Sequence, residues 1–426
     1  MKNAVFTIVA KNYFGFAKAL YISVKKNNPE VDFFVLLSDE IDNIEDFNNE
    51  EFKVLEAKNI GISNFYDLAF KYNITELSTA IKPFFFTYLF NEQYDKVIYF
   101  DPDIFVYNNL SNIYDRLDSS EIVLTPHFVN PEMESTANAP ETLTLFAGIY
   151  NLGFLAVKNT IAGREMISWW ESRLYSYCFV DKSEALHVDQ KWMDFVPALF
   201  GDKVLILRDL GFNIAYWNIH ERAVDNSGDL PVIYNRIKNT GKFPLVFIHF
   251  SGFNTHDIFD NKQCPILDLN RYADFIPFFS QYAKFLKENN FDMYFHKKYT
   301  YSTFNNGVTI NIFQRRLFRR LNMEGVIFEN PFGVGETDFY AKLVKNNLIV
   351  KSKSSIDKLN ERNFVGLQSK IKKLNIIMKF LRRILGFERY VLLLKFCQRY
   401  FRPENQTFLL NDYDHIKFYN ENVKSK

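Results

Sequence analysis

Two carboxylates one residue apart, Asp101 and Asp103, follow the apolar run KVIYF in the segment KVIYFDPDIFVYNNL, residues 96–110. Pro102 between them stiffens the backbone and removes a donor. Alternation along an extended chain would aim both side chains the same way. Two hard, anionic oxygen ligands on one side suit Mg2+ or Mn2+, which proteins usually hold with few carboxylates plus substrate phosphates. An isolated Asp-x-Asp also occurs as a solvated turn, but the preceding apolar run reads as a buried strand and favours a ligand site. A second apolar run, PLVFIHFSGFN (244–254), contains His249, with Gly252 three positions later, where backbone can approach a ligand closely. A histidine at a strand end is ordinarily structural. If the two strand ends lie side by side, His249 becomes a third ligand, and Asp, Asp and His around a phosphate-bound divalent cation form a coherent set.

The elements that must position these residues alternate in type over the first 265 positions. NAVFTIVA (3–10), VDFFVLLSD (31–39), KVIYF (96–100), NLGFLAVKN (151–159), KVLIL (203–207) and PLVFIHF (244–250) read as strands. FGFAKALYISVKKN (14–27), ELSTAIKPFFFTYLF (76–90), TIAGREMISWWESRLYSY (160–177) and HVDQKWMDFVPALF (187–200) read as helices, with Pro83 either kinking the second of these or restarting it at a first-turn position. Strands separated by helices predict an α/β fold with a mainly parallel sheet. Ligands in such sheets bind beyond the carboxyl ends of the strands, where Asp101 and Asp103 stand. From about residue 270 the chain reads as helices and loops. The expected division is therefore 1–265 and 266–426.

Composition narrows the function classes. With 47% hydrophobic residues in 426, burial is well supported and disorder is not expected. Cys178, Cys264 and Cys397 form no CxxC pair, so neither a zinc knuckle nor a disulfide framework is indicated. The first strand is too short an apolar run for a leader, and no run of about 18 apolar residues exists to span a bilayer. A cytoplasmic chain is expected. Gly333 and Gly335 follow no strand and precede no GK[ST], which argues against a P-loop. Trp169 and Trp170 could stack on a flat ligand face, though burial of their helix explains them better. His220 and Arg222 could touch a ligand or simply pair at a surface.

Charge is uneven despite a net of +1. Residues 341–402 hold sixteen Lys and Arg against three acids, which leaves the remainder at about −12. In SKIKKLNIIMKFLRRILGF (369–387), Ile371, Leu374, Met378, Leu381 and Leu385 fall on one helical stripe, with Lys372, Lys379, Arg382 and Arg383 off it. Residues 369–402 read either as a packed helical region with a solvated basic face, or as an interfacial anchor on an anionic membrane surface. The second would place the chain peripherally on the inner face of the plasma membrane. No reading motif accompanies the basic residues, so nucleic acid is not an expected partner.

With these residues in view, KVIYFDPDIFVYNNL resembles the DxD motif of GT-A glycosyltransferases, and the chain is similar to their retaining, glycogenin-like and bacterial galactosyltransferase-like group. TIVAKNYFGFAKALYISVKKNNPE resembles that group's first strand and helix, where Ala10, Asn12 and Tyr13 match positions that hold the nucleobase. STAIKPF matches the segment whose basic residue, Lys82, approaches the donor sugar and diphosphate. IYNLGFLAVKN is similar to the Asn-x-Gly strand, with Asn151 facing the donor sugar. HVDQKWM resembles the Asp-Gln pair, Asp189 and Gln190, beside the anomeric carbon. IHFSGF resembles the His-x-x-Gly that completes metal and diphosphate binding through His249 and Gly252. FNIAYWNIHER (212–222) and YSTFNNGVTINIFQRR (301–316) resemble a bacterial branch that builds surface glycans.

The resemblance implies a GT-A Rossmann-like domain over 1–265. It also implies a Mn2+ or Mg2+ cofactor and a nucleotide-sugar donor, UDP-linked, from which a hexosyl-type group passes to a glycan, lipid-linked or protein-linked acceptor. One departure concerns the lysine that follows His-x-x-Gly in the group: Asn254, Thr255 and His256 stand there, and Lys262 is too distant. Because Gln190 is a neutral amide and a poor nucleophile, front-face attack by the acceptor hydroxyl is the expected route to retention, with Asp189 bonding sugar hydroxyls. Without the resemblance, Asp189 and Gln190 would read as an exposed helix start with a first-turn anion. Two alternatives stay open: an inverting transferase that uses a carboxylate base near the acceptor, and a non-catalytic sugar- or nucleotide-binding protein on a degenerate transferase scaffold.

Overall fold

The computed structural model describes residues 2–41, 47, 51–131, 139–228, 230–252, 269–289, 291–350, 357 and 365–410. Fourteen strands lie among them: β1 Asn3–Val9, β2 Asp32–Leu37, β3 Lys53–Glu56, β4 Lys96–Phe100, β5 Ile104–Val106, β6 Ile122–Leu124, β7 Phe154–Lys158, β8 Val180–Asp181, β9 Leu186–His187, β10 Val204–Ile206, β11 Arg222–Asp225, β12 Val232–Asn235, β13 Thr240–Pro244 and β14 Phe247–His249. Seven form one sheet in the order β10-β6-β7-β4-β1-β2-β3. All its pairings are parallel except those of β7, which runs against both β4 and β6. This is the mixed, mainly parallel α/β sheet that the alternation of strands and helices predicts.

The central strands are apolar on both faces because both faces are covered. Val5 and Val9 of β1 pack in one cluster with Phe14, Ala17 and Leu20 of helix Phe14–Asn27. Phe6, pointing the other way, meets Phe85 and Phe86 of helix Lys82–Asn91 at 5.0 and 4.9 Å. Pro83 lies in the first turn of that helix and separates it from helix Ile74–Ala80, so the proline restarts the chain and does not kink it. Helix Ile161–Tyr177 begins where the Thr160 hydroxyl accepts from Gly163 N–H at 3.2 Å.

Three sequence expectations change. The 244–250 run does not join the main sheet. Only Phe247–His249 is strand, paired antiparallel with β5 so that His249 lies opposite Ile104. HVDQKWMDFVPALF is not one helix: it holds the end of β9, a 3-10 turn Gln190–Phe195 and a short helix Val196–Phe200. The antiparallel sheet β11-β12-β13 was not legible, because β13 (TGKFP) is mostly exposed and lacks apolar alternation.

The chain divides into two compact units, Met1–Ser63 with Ile74–Tyr299, and Asn64–Asn73 with Thr300–Lys426. Helix Ile276–Glu288, which a division after residue 265 would assign to the C-terminal region, therefore belongs to the first unit. In the second unit, helix Ile312–Met323 opens with a capping box of Asn311 and Gln314. Arg315 on it donates to the carbonyls of Ala69, Phe70, Tyr72 and Tyr301, satisfying the last turn of helix Phe65–Lys71.

Beneath the strand ends, Phe247 of β14 packs on Phe100 of β4 at 5.0 Å and on Phe154 of β7 at 5.3 Å, all three fully buried. Truncating it leaves a cavity as well as losing transfer energy. Phe247→Ala should lower unfolding free energy by about 3–5 kcal/mol in urea titrations, whereas Ile161→Ala, at 81% exposure, should stay within about 0.5 kcal/mol.

Candidate active site

Asp101 and Asp103 stand in the turn between β4 and β5, where Ile104 N–H donates to the Asp101 carbonyl at 3.1 Å. The two carboxylates converge because the chain turns there, not through the strand alternation that the sequence suggests. His249 reaches them from β14: its Nε2 lies 3.0 Å from Asp103 Oδ1 and 3.7 Å from Asp101 Oδ2. One ligand atom from each of the three residues lies within 4.8 Å of the others. Asp101 is further held by the Tyr99 hydroxyl and by its own N–H, which donates to the Gly153 carbonyl at 2.8 Å.

The donor set fits a hard divalent cation. His249 Nδ1 faces Asn151 Oδ1 at 3.2 Å, an oxygen that can only accept, so Nδ1 carries the ring proton and Nε2 turns its other face to the aspartates. Burial opposes a positive charge on His249, but Asp103 and Asp101 outweigh it and raise its pKa above the usual imidazole value. Carboxylates that draw a proton to this point would draw a cation to it as well.

Lys82 is 2% exposed. Its ammonium lies 2.7 Å from Asp189 Oδ2 and 3.5 Å from Asp101 Oδ1, and donates to the Leu152 carbonyl at 2.9 Å. Burial works against its charge, yet Asp101 and Asp189 hold its pKa above the ordinary lysine value. Lys82 thus ties two acids together from within the protein and is not a free cation awaiting phosphate. Asp189, 2% exposed, is fixed also through its carbonyl, which accepts from Trp170 Nε1 at 3.2 Å. Trp170 itself is fully buried.

Gln190 follows at the start of a 3-10 turn, half-buried. Its Oε1 accepts from Leu152 N–H at 3.2 Å and Asn151 Nδ2 at 3.3 Å, and its Nε2 donates to the Ala147 carbonyl at 3.0 Å. Asn151 therefore touches both Gln190 and His249. The reversed direction of β7 explains how: Phe154 pairs with Phe100, so residues 151–153 lie beside 101–103. Gly153 is required by close approach, since a Cβ there would stand 2.3 Å from His249 Cε1.

Ala10, Asn12 and Tyr13 follow β1, the parallel neighbour of β4, and so lie at the same sheet edge. Ala10 is buried, Asn12 half-buried with Oδ1 unbonded among the described residues, and Tyr13 is 42% exposed, its ring 5.1 Å from Phe16. Gly252 takes φ +74°, a turn that favours glycine. Asn254, Thr255, His256 and Lys262 lie outside the described residues.

Several residues in the network were not singled out by sequence. Asn213, fully buried, donates to Asn151 Oδ1 at 3.1 Å and to Thr125 Oγ1 at 2.9 Å. His127 lies 3.4 Å from Asn151 Nδ2, and burial drops its pKa to about 4, so it is neutral at ordinary pH. Trp217 stands edge-on to His249 at 5.2 Å. Glu221, fully buried, accepts from the N–H groups of Val129 and Asn130 and orders the loop after His127. Its neighbours His220 and Arg222 are buried, not surface groups. Isolated Asn, Thr and Glu in loops carry no spacing signal, and only the run FNIAYWNIHER (212–222) hinted at this cluster.

The model of glycosyl transferase family 8 matches residues 4–163. The chain is a glycosyltransferase. The matched segment contains Lys82, Asp101, Asp103 and Asn151, while Asp189, Gln190 and His249 lie beyond it. Uncharacterized protein YfnF of Bacillus subtilis (strain 168) is 25% identical over 268 residues, 62% of this chain and 86% of that one. The galactosyltransferase LgtC, solved with donor and acceptor sugar analogs, aligns at a TM-score of 0.40 and 15% identity over 66% of this transferase and 95% of LgtC. The glycosyltransferase GlyE of Streptococcus pneumoniae TIGR4 aligns at 0.32 and 20% identity, over 50% of this chain and 46% of its own.

A buried ion pair is costly to half-remove. Lys82→Met should destabilise the transferase by about 3–5 kcal/mol in denaturant titrations, because Asp189 and Asp101 lose their counter-charge. Lys82→Met with Asp189→Leu should recover a large part of that loss; an additive double variant would show the pair uncoupled.

Proposed function

We propose that this glycosyltransferase is metal-dependent and retaining, taking a sugar from a UDP-linked donor and passing it to a hydroxyl of a glycan acceptor, lipid-linked or protein-linked. The observation that carries the reading is the convergence of Asp101, Asp103 and His249 within one cation's reach of each other, with Gln190 joined to His249 through Asn151. Asp101, Asp103 and His249 would hold Mn2+ or Mg2+, and when bound the ion supplies Lewis-acid stabilisation of the departing diphosphate. The exposed ring of Tyr13, with Asn12 and Ala10 beside it at the same strand edge, offers a flat surface to a nucleobase. Gly252 leaves room for backbone to approach the phosphates.

Gln190 presents a neutral amide, held by three backbone and side-chain partners, where positive charge develops on the sugar. A carboxamide is a poor nucleophile, and the Asp189 carboxylate is spent on Lys82. Both facts favour same-face attack: the acceptor hydroxyl adds to the anomeric carbon as its bond to the phosphate oxygen breaks, and the hydroxyl proton passes to that oxygen. Asp189, through Lys82 and Asp101, keeps Gln190 and the carboxylates in register.

The test is a screen of nucleotide sugars for hydrolysis or transfer with and without Mn2+. The expected result is metal-dependent turnover with an α-linked donor giving an α-linked product by NMR, and at least a 100-fold loss in Asp103→Asn. Unchanged turnover in Asp103→Asn would remove the metal assignment, and an inverted anomeric signal would favour the inverting alternative.

A second observation bears on where the acceptor resides. Helices Leu367–Leu385 and Phe387–Tyr400 bury no residue, and Ile377, Phe380, Ile384, Phe387 and Leu392 are each at least half exposed. Residues 367–402 hold ten Lys and Arg against Glu388 alone. No helix among the described residues is long and apolar enough to cross a membrane. Exposed apolar side chains among basic ones complement an anionic bilayer surface, and we assign this region to peripheral membrane docking near a lipid-linked acceptor. The full chain should float with phosphatidylglycerol vesicles and not with phosphatidylcholine vesicles. Phe380→Ser with Ile384→Ser, Arg382→Ser and Arg383→Ser should cut flotation about tenfold; equal flotation would refute docking here.

A further inference from the structure

Among the described residues, Asn151 is the side chain hydrogen-bonded to both His249 and Gln190. Its oxygen accepts from His249 Nδ1 (3.2 Å), Asn213 Nδ2 (3.1 Å) and Gly153 N–H (3.2 Å). Its nitrogen has two protons and two acceptors in reach, Gln190 Oε1 (3.3 Å) and His127 Nε2 (3.4 Å). His127 is an acceptor there because its other nitrogen donates to the Ile149 carbonyl at 3.1 Å. A flipped amide would set its NH2 against three N–H donors and its oxygen against the Gln190 oxygen. The orientation is over-determined by partners whose own roles are fixed. Asn151 is 7% exposed and so offers little surface to a donor sugar.

We infer that Asn151 is a positioning residue that joins the cation site to the catalytic amide: its oxygen fixes the His249 tautomer that turns Nε2 toward Asp101 and Asp103, and its nitrogen fixes the carboxamide of Gln190. Asn213, anchored on Thr125, locks Asn151 in turn. A neutral imidazole carries one ring proton. An acceptor at Nδ1 keeps it there and leaves the Nε2 lone pair available. Without that acceptor the opposite tautomer competes, and a cation must displace its proton. Partners that orient a ligating histidine are typically worth about 10–100-fold in metal affinity. The inference rests on reading Asp101, Asp103 and His249 as the cation site.

Two substitutions separate the two ends of the amide. Asn151→Asp keeps an oxygen for His249 Nδ1 but cannot donate to Gln190 or His127. Asn151→Leu removes both. In titrations of the full chain with Mn2+ alone, followed by calorimetry, Asn151→Leu should weaken binding about 10–100-fold, while Asn151→Asp should bind within about threefold of wild type or more tightly. In sugar transfer at saturating Mn2+, both should lose kcat, at least about tenfold. Long-range 1H–15N spectra of the Mg2+-bound chain should place the His249 proton on Nδ1 in wild type and Asn151→Asp. This last readout holds even if Asn151→Leu does not fold. Wild-type Mn2+ affinity in folded Asn151→Leu, or an Nε2 proton in the wild-type spectra, would overturn the inference while leaving the cation site standing. A wild-type chain whose Mn2+ binding Asp103→Asn does not abolish would instead remove the cation site beneath it.

Discussion

Charges gathered in a poorly hydrated place must be matched, and the strand ends of this transferase are arranged around that constraint. Asp101 is its pivot. Its carboxylate meets the Tyr99 hydroxyl, the Lys82 ammonium and the His249 ring, and its N–H is tied to Gly153. Lys82 passes the constraint on to Asp189, which precedes Gln190. One connected set of ion pairs therefore fixes both the prospective cation ligands and the amide that would face the sugar. No member can be removed without leaving another uncompensated.

The reversed strand β7 makes this connection available. In an all-parallel sheet, the residues entering a strand lie at the amino edge, away from the ligand. Because β7 runs against β4 and β6, its entry segment Asn151–Gly153 arrives at their carboxyl edge, next to Asp101 and to Thr125. Asn151 can then accept from His249 on one side and donate to Gln190 on the other. The aromatic contacts of Phe100, Phe154 and Phe247 hold β4, β7 and β14 together directly below. Packing and polar geometry are set by the same three strands.

The second unit follows a different logic. Its buried arginines are consumed in structure, Arg315 on four carbonyls and Arg319 on Glu404 at 3.2 Å. The basic residues of Leu367–Leu385 and Phe387–Tyr400 instead stand among exposed apolar side chains on helices that bury nothing. Charge used internally and charge left at the surface are thus separated along the chain.

The sequence by itself determined the alternating architecture, an interruption of some kind at Pro83 and the apolar runs that end in Asp101, Asp103 and His249. Those features depend on local periodicity and on residue types with strong intrinsic preferences, so they survive without knowledge of neighbours. Only the tertiary structure decided that Asp101 and Asp103 converge through a turn, that His249 comes from a strand outside the main sheet, and that Lys82 is spent on Asp189. It alone revealed that Asn213, His127 and Glu221 hold the site through partners 22 to 92 residues away. A hydrogen bond between distant residues leaves no periodic trace in a single chain, because its geometry exists only once the sheet has set the strand order.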